Sequence, residues 1–477
     1  MVAIGEVAVE KIHEWTPDPM SVVCWHAAPA ALAKVRHAPI SAVPASYQQA
    51  QHLRRYRQHA ARGFDMSRLC IATWDIPGRC DIRAMTYVIN AHLRRHDTYR
   101  SWFECHDEQR IVRRTLSDPT DIEFVPTLHG EMTAAEFRDH IKAPNPLQWD
   151  CFCFGIVQHA NHFTVYVSVE HLHIDAWFIG VVFVEIHMMY AALVAGQAPI
   201  PLADAGSYDD YCIRQQQFAS ALKLESPPVR AWIEFAENNE GTLPEFPLPL
   251  GDSSVPCRGE VITVPLMNEQ QTNRFERACV AAGARFSGGV FACAALTEHQ
   301  LTGADTYYGI TPTDTRSTPA EFITTGWFTG IVPITVSLAT TSFGDIVRAA
   351  QASFDSGKDL ASVPFDRVLE LAPRLRRPQP GNLVLSYFDA AVPPLSANTN
   401  SQWERLNVRL YDEGRVSHQV GVWVNRREKQ TTMTVFFPNN PVASESVARY
   451  IAAMKSVYVR VADGCGAVAP LHSVDRA

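Results

Sequence analysis

The eleven cysteines include no C-x-x-C pair, only 19% of residues are charged, and no short-period repeat is visible. Each absence removes a class of protein. Scattered thiols in odd number give neither a zinc-ribbon signature nor a disulfide framework, and they point to reduced, mostly buried cysteines in a cytosolic protein. Cys151 and Cys153 share one face of an expected strand. The opening MVAIGEVAVEKIHEW lacks a basic start followed by an apolar run, so no secretory signal is expected. A formal net charge of −8 offers no basic surface for a nucleic-acid partner. The most apolar segment, AWFIGVVFVEIHMMYAALVAG (176–196), is interrupted by Glu185 and His187, which predicts a buried helix and not a membrane span.

The chain has 477 residues, 47% of them hydrophobic, more than one core usually holds. Hydrophobic spacing predicts a helix with a basic face over 46–63 (Gln51, Arg54, Arg55, Arg57). A second is predicted from 81, with Ile82, Met85, Val88, Ile89 and Leu93 on its apolar side, running into a strand near Trp102 and Phe103. Two β-rich runs, 151–157 and 163–169, flank the polar turn HANH and predict a hairpin. GTLPEFPLPLGDSSVPCR, around 241–258, reads as a crossover. Beyond it, helices (269–282, 441–462) alternate with strands (329–337, 382–388, 418–426, 431–437). An α/β architecture of two similar halves is expected.

The second hairpin strand delivers VEHLHIDAW (169–177) into a strand-to-helix loop, a place where a rigid scaffold commonly presents reacting groups. As H-x-H-x-D, residues His171, His173 and Asp175 could supply three zinc ligands. The H-x-H-x-D-H pattern of metallo-β-lactamase-like hydrolases is broken, however, by Ala176, and the motif lies too far along the chain for the first strand of an amidohydrolase barrel. As H-x-x-x-D, His171 could take the proton from an attacking hydroxyl in acyl transfer, since a free imidazole with pKa near 6.5 is mostly neutral yet basic at pH 7. Asp175 would then fix the loop. A third reading leaves His171 and Asp175 as a structural pair and His173 as a packed loop residue.

Five ordered segments decide for acyl transfer: SYQQAQHLRRY (46–56), INAHLRRHDTYRSWF (89–103), EHLHIDAW (170–177), GITPTDTRSTP (309–319) and GWFTGIVPI (326–334). With them the chain resembles the H-H-x-x-x-D-G acyltransferases, which include chloramphenicol acetyltransferase and the condensation domains of peptide synthetases. Within that superfamily it is similar to the mycobacterial polyketide-associated protein acyltransferases, and most to those that acylate trehalose or trehalose 2-sulfate in sulfolipid and acyltrehalose assembly. The resemblance implies an α/β fold of two chloramphenicol acetyltransferase-like subdomains, 1–220 and 261–477, joined by a crossover at 221–260, with an active-site tunnel between them. It implies His171 as general base, Asp175 as its structural neighbour, and an Asp175–Arg316 salt bridge across the halves. Trp327 and Thr329 are candidates for the site lining.

The implied substrates are a long-chain, palmitoyl-like acyl-coenzyme A and the sugar, with no metal and no other cofactor. A polyketide synthase or carrier protein is the alternative donor, and a non-catalytic binding protein the alternative role. Arg54, Arg55, Arg374, Arg376 and Arg377 are candidates for coenzyme A phosphates, a sugar sulfate or an anionic membrane. A monomer in the cytoplasm, peripheral on the cytosolic face of the plasma membrane, is expected. Three departures from the family pattern stand out: Glu170 at the first motif histidine, Ala176 at the motif glycine, and Gly330 where an asparagine is frequent. Of a second family motif, D-F-G-W-G, only Phe388 and Asp389 remain.

Overall fold

The hairpin expected around HANH is the centre of the larger sheet. Its strands Phe152–Gln158 and His162–Glu170 pair antiparallel, and both are buried almost throughout. The structure, a computed structural model, describes residues 2–4, 7–15, 20–63, 69–106, 110–141, 145–255, 257–339, 342–378, 382–389, 403–412, 420–427 and 430–464. Eight strands run in the order Val2–Ile4, Val7–Lys11, Arg409–Asp412, Leu69–Pro77, His162–Glu170, Phe152–Gln158, Met20–Ala27 and Phe124–Met132. One face is covered by the helix Ile82–Arg95, which buries Met85, Val88, Ile89 and Leu93 as its spacing predicts. Asp81 caps that helix by accepting from the amides of Arg83 and Ala84.

A second sheet holds Gly259–Asn268, Gln430–Pro438, Val420–Arg426 and Leu383–Asp389, the last two parallel. Its core is separate and is filled from the helices Phe286–Thr302 and Pro441–Ala462. An antiparallel ribbon, Thr306–Asp314 with Thr329–Ser337, projects beside it. The closed end of this ribbon carries Arg316 and Trp327.

The expected division of the chain needs two corrections. Within 221–260, Pro227–Asn238 is a helix with Trp232 and Phe235 buried, so the first part of the expected linker is packed structure. Nor is 261–477 self-contained. Arg409–Asp412 sits between Val7–Lys11 and Leu69–Pro77 of the first sheet, and Trp403, Leu406, Val408 and Leu410 belong to the first core. The apolar run after Asp175 is helical from Phe178 to Val194, with a π-helical stretch at Phe183–Met188 that carries Glu185 and His187. Among the described residues no single helix is long and apolar enough to cross a membrane.

Candidate active site

His171 begins a 3-10 turn directly after the strand His162–Glu170. That turn is braced from three sides. The helix Tyr47–Ala60 supplies two of the braces: Gln49 Nε2 donates to the Leu172 carbonyl at 2.8 Å, and His52 Nε2 meets Glu170 Oε1 at 2.8 Å. Gln49 also closes the capping box of its own helix with Ser46, so one side chain sets both the helix start and the loop. The fully buried Glu170 accepts from the Leu172 amide with its other oxygen at 2.7 Å. The residue that departs from the motif histidine therefore ties down the turn, with a histidine brought to it from a helix.

Asp175 supplies the third brace. Arg316 reaches it with both terminal nitrogens, Nη1 to Oδ2 at 2.7 Å and Nη2 to Oδ1 at 3.1 Å. The amides of Phe328 and Trp177 donate to the same carboxylate at 2.9 and 3.0 Å. Burial pushes the Asp175 carboxyl upward, opposed by Arg316 and these two amides. Arg316 is held in turn by the carbonyls of Glu321 and Thr324 and by Asp314, and it lies 4.3 Å over the Phe328 ring. The ion pair thus spans the two halves, and the carboxylate is committed to bracing.

Trp327 comes with that loop. Its ring lies 4.3 Å from the half-buried His171 imidazole, centroid to centroid, and 5.9 Å from His52. Tyr208 fixes the Trp327 backbone, its hydroxyl donating to that carbonyl at 3.2 Å and lying in hydrogen-bond contact with the Ser46 hydroxyl at 3.0 Å. Thr329 takes part through its carbonyl, which accepts from Gln48.

His173 turns away from His171. Its ring nitrogens meet Thr98 Oγ1 at 2.9 Å and Cys151 Sγ at 3.2 Å in the core. With Asp175 committed to Arg316, the H-x-H-x-D residues do not form a ligand set. Burial holds the His173 imidazole down at about 4. An unfolded chain binds that proton below about 6.5, so stability is lost as pH falls from about 6.5 toward 4, by up to about 3 kcal/mol. Denaturant midpoints measured across pH 7.5 to 4.5 are expected to fall less steeply in His173→Gln than in the parent chain. Equal slopes would reject this assignment.

Each departure from the family pattern has a local reason. Ala176 is exposed, and the non-glycine residues with positive φ among those described are Glu240 and Asn407, so position 176 needs no glycine. A Cβ on Gly330 would meet the Ala361 carbonyl oxygen at 2.1 Å. Asn in place of Gly330 is therefore expected to destabilise the fold by about 1–3 kcal/mol, as overpacking does; an unchanged melting temperature would contradict it. Asp389 accepts from Arg426 and from the Tyr387 hydroxyl at the end of its strand. Four of the five expected anion-binding arginines approach acids. Arg54 and Arg377 both approach Asp366, at 4.0 and 3.4 Å, while Arg374 pairs with Glu237 and Arg376 with Glu240.

Two sheets with separate cores, with a strand-end histidine on one side and its bracing aspartate held by an arginine from the other, define an acyltransferase of the chloramphenicol acetyltransferase-like class. The condensation-domain family model matches residues 67–404. Trehalose-2-sulfate acyltransferase PapA2 of Mycobacterium tuberculosis (strain ATCC 25618 / H37Rv) is 64% identical over 460 residues, 96% of this chain and 98% of that one. The 2'-acyl-2-O-sulfo-trehalose (hydroxy)phthioceranyltransferase PapA1 of Mycobacterium tuberculosis (strain CDC 1551 / Oshkosh) is 56% identical over 462 residues, 97% of this chain and 90% of its own length. A solved PapA2 acyl transferase superposes with a TM-score of 0.92 at 64% identity, covering 96% of this chain and 100% of that chain. The first condensation domain of the CDA synthetase shares the fold alone, with a TM-score of 0.63 at 16% identity over 88% of this chain and 96% of that chain. The chain belongs to the condensation-domain family and, within it, to the polyketide-associated protein acyltransferases known from mycobacteria.

Proposed function

We propose that this acyltransferase moves a long-chain acyl group from an acyl-coenzyme A thioester to a hydroxyl of trehalose 2-sulfate, with His171 as general base. The acceptor follows the names of the relatives, both of which act on sulfated trehalose. One observation carries the role of His171: its turn is held by Gln49, by His52 through Glu170, and by Arg316 through Asp175. These contacts run through the Leu172 carbonyl, Glu170 and Asp175, and they fix where the turn presents the imidazole.

In this reading the sugar oxygen attacks the thioester carbonyl carbon while the imidazole accepts the hydroxyl proton. The tetrahedral adduct then expels the coenzyme A sulfur, which takes the proton back from the imidazolium. Trp327, packed on the His171 ring, fixes its plane and covers one side of it from water. The test is mass spectrometry of products from the purified chain with palmitoyl-coenzyme A and either trehalose or trehalose 2-sulfate. A mono-acylated sulfated sugar is expected, formed at least about a hundredfold more slowly with His171→Ala. Product on unsulfated trehalose alone would overturn the acceptor, and product only with a carrier-bound acyl group would overturn the donor.

The apolar product favours a peripheral position on the cytosolic face of the plasma membrane. Recovery of all the protein in the soluble fraction of lysed cells would count against it.

A further inference from the structure

Cys24 and His26 stand two apart on the strand Met20–Ala27 and so leave the same face of the sheet. The neighbouring strand Phe124–Met132 is bulged just before them, at the step from Val22 to Val23. Val22 pairs with Gly130 and Val23 with Leu128, which leaves His129 as the extra residue. A bulge re-aims the side chain it carries, and His129 comes to lie against His26 and His140, its ring 5.6 and 4.2 Å from theirs. His140 ends the short helix Ala134–His140, which docks through the buried Phe137 onto Tyr166.

One sulfur and three imidazole nitrogens thereby lie within 4.8 Å of one another. His26 Nε2 and His129 Nε2 are 3.4 Å apart, and Cys24 Sγ is 2.6 Å from His140 Nε2. Apolar packing does not select three imidazoles around a thiol, and protonated imidazoles repel each other. Tyr166 supports the set from behind, its hydroxyl 2.5 Å from Cys24 Sγ. The room for that phenol comes from Gly155, since a Cβ there would lie 2.2 Å from the ring. Acyl transfer as derived above uses none of these residues.

We propose that Cys24, His26, His129 and His140 form a tetrahedral zinc site that ties two strands of the first sheet to the helix Ala134–His140. A thiolate with three neutral imidazoles is a zinc ligand set, and four protein ligands make a closed, structural site. At Zn–N distances of about 2.0–2.1 Å, ligand nitrogens stand roughly 3.3–3.4 Å apart, which His26 and His129 already do. Cys24 and His140 would separate by about 1 Å on binding, to the roughly 3.6 Å that one thiolate and one imidazole share around zinc.

A second buried cluster, His92, His96 and Glu185, differs in kind. There Arg95 donates to Glu185 at 2.8 Å and already supplies the positive charge, while both imidazoles bond the same carboxylate. Burial would raise the Glu185 carboxyl, but His96 and His92 hold it well below the usual carboxylate range. It serves as the comparison site.

The test uses the full chain, produced in zinc-supplemented medium without a histidine tag. Elemental analysis after gel filtration is expected to find about one zinc per chain. Exchange for Co2+ should give tetrahedral d–d bands together with a thiolate-to-cobalt charge-transfer band. Cys24→Ser should lose the charge-transfer band. The double variant His26→Ala/His129→Ala, at exposed and half-buried positions, should keep its circular dichroism but lose both the zinc and the bands, and His92→Gln should retain them. Zinc should raise the melting temperature of the parent chain and not of the double variant. Less than about a tenth of an equivalent in the parent chain, or a full equivalent with its bands in the double variant, would overturn the site.

Discussion

Exchanging His171 for alanine is expected to lower turnover by about 10²–10⁴-fold, the range that a positioned general base contributes. The KM for both substrates should change far less, because the proton transfer belongs to the transition state. The braces on this turn run through Glu170, Leu172 and Asp175, so the variant should melt close to the parent chain. Turnover within tenfold of the parent would remove His171 from the chemistry. A large fall in melting temperature would instead make it a packing residue.

The second large effect belongs to Arg316. Alanine there leaves the Asp175 carboxylate buried with two amide donors and no counter-charge. Breaking a buried pair in this way costs about 3–5 kcal/mol. The pH dependence distinguishes a lost charge from a lost shape. In Arg316→Ala, burial raises the Asp175 pKa with less opposing it, so the folded chain takes up a proton at a pH where the unfolded chain does not. The stability gap to the parent should therefore narrow as pH falls from 8 toward 5, and a constant gap would mean that packing alone was lost. Turnover should fall with stability, since Trp327 reaches His171 on the same loop.

The hairpin, the capped helices and the sheet strands were legible because periodicity and turn chemistry are local. The pair between Asp175 and Arg316 was legible only through resemblance, as nothing in the spacing of two residues 141 apart announces a contact. His52 was missed. Gln49 and His52 lie three apart on one helix face, the spacing that could have signalled a shared role, but the arginines on the other side of that helix drew the reading. Glu170 read as a lost histidine because the imidazole that partners it comes from another element. The cluster at Cys24 offered only the Cys24–His26 spacing, for its other two members come from another strand and a helix more than a hundred residues on, and a single bulge decides where His129 points. The packed helix at Pro227–Asn238 was hidden in turn by the proline-rich stretch that follows it.

The strand Arg409–Asp412, seated between Val7–Lys11 and Leu69–Pro77, has a consequence for how the protein is made. When the ribosome has released residue 260, the first sheet still has an open slot with unpaired edges on both sides. About 150 further residues must emerge before the missing strand arrives, roughly 8–30 s at about 5–20 residues per second. Throughout that interval the nascent chain presents two strand edges to any other unfolded chain nearby. A fragment ending at residue 260 stays in that state permanently. Chaperone demand and aggregation during expression should therefore be governed by this late-arriving strand more than by the stability of the finished fold.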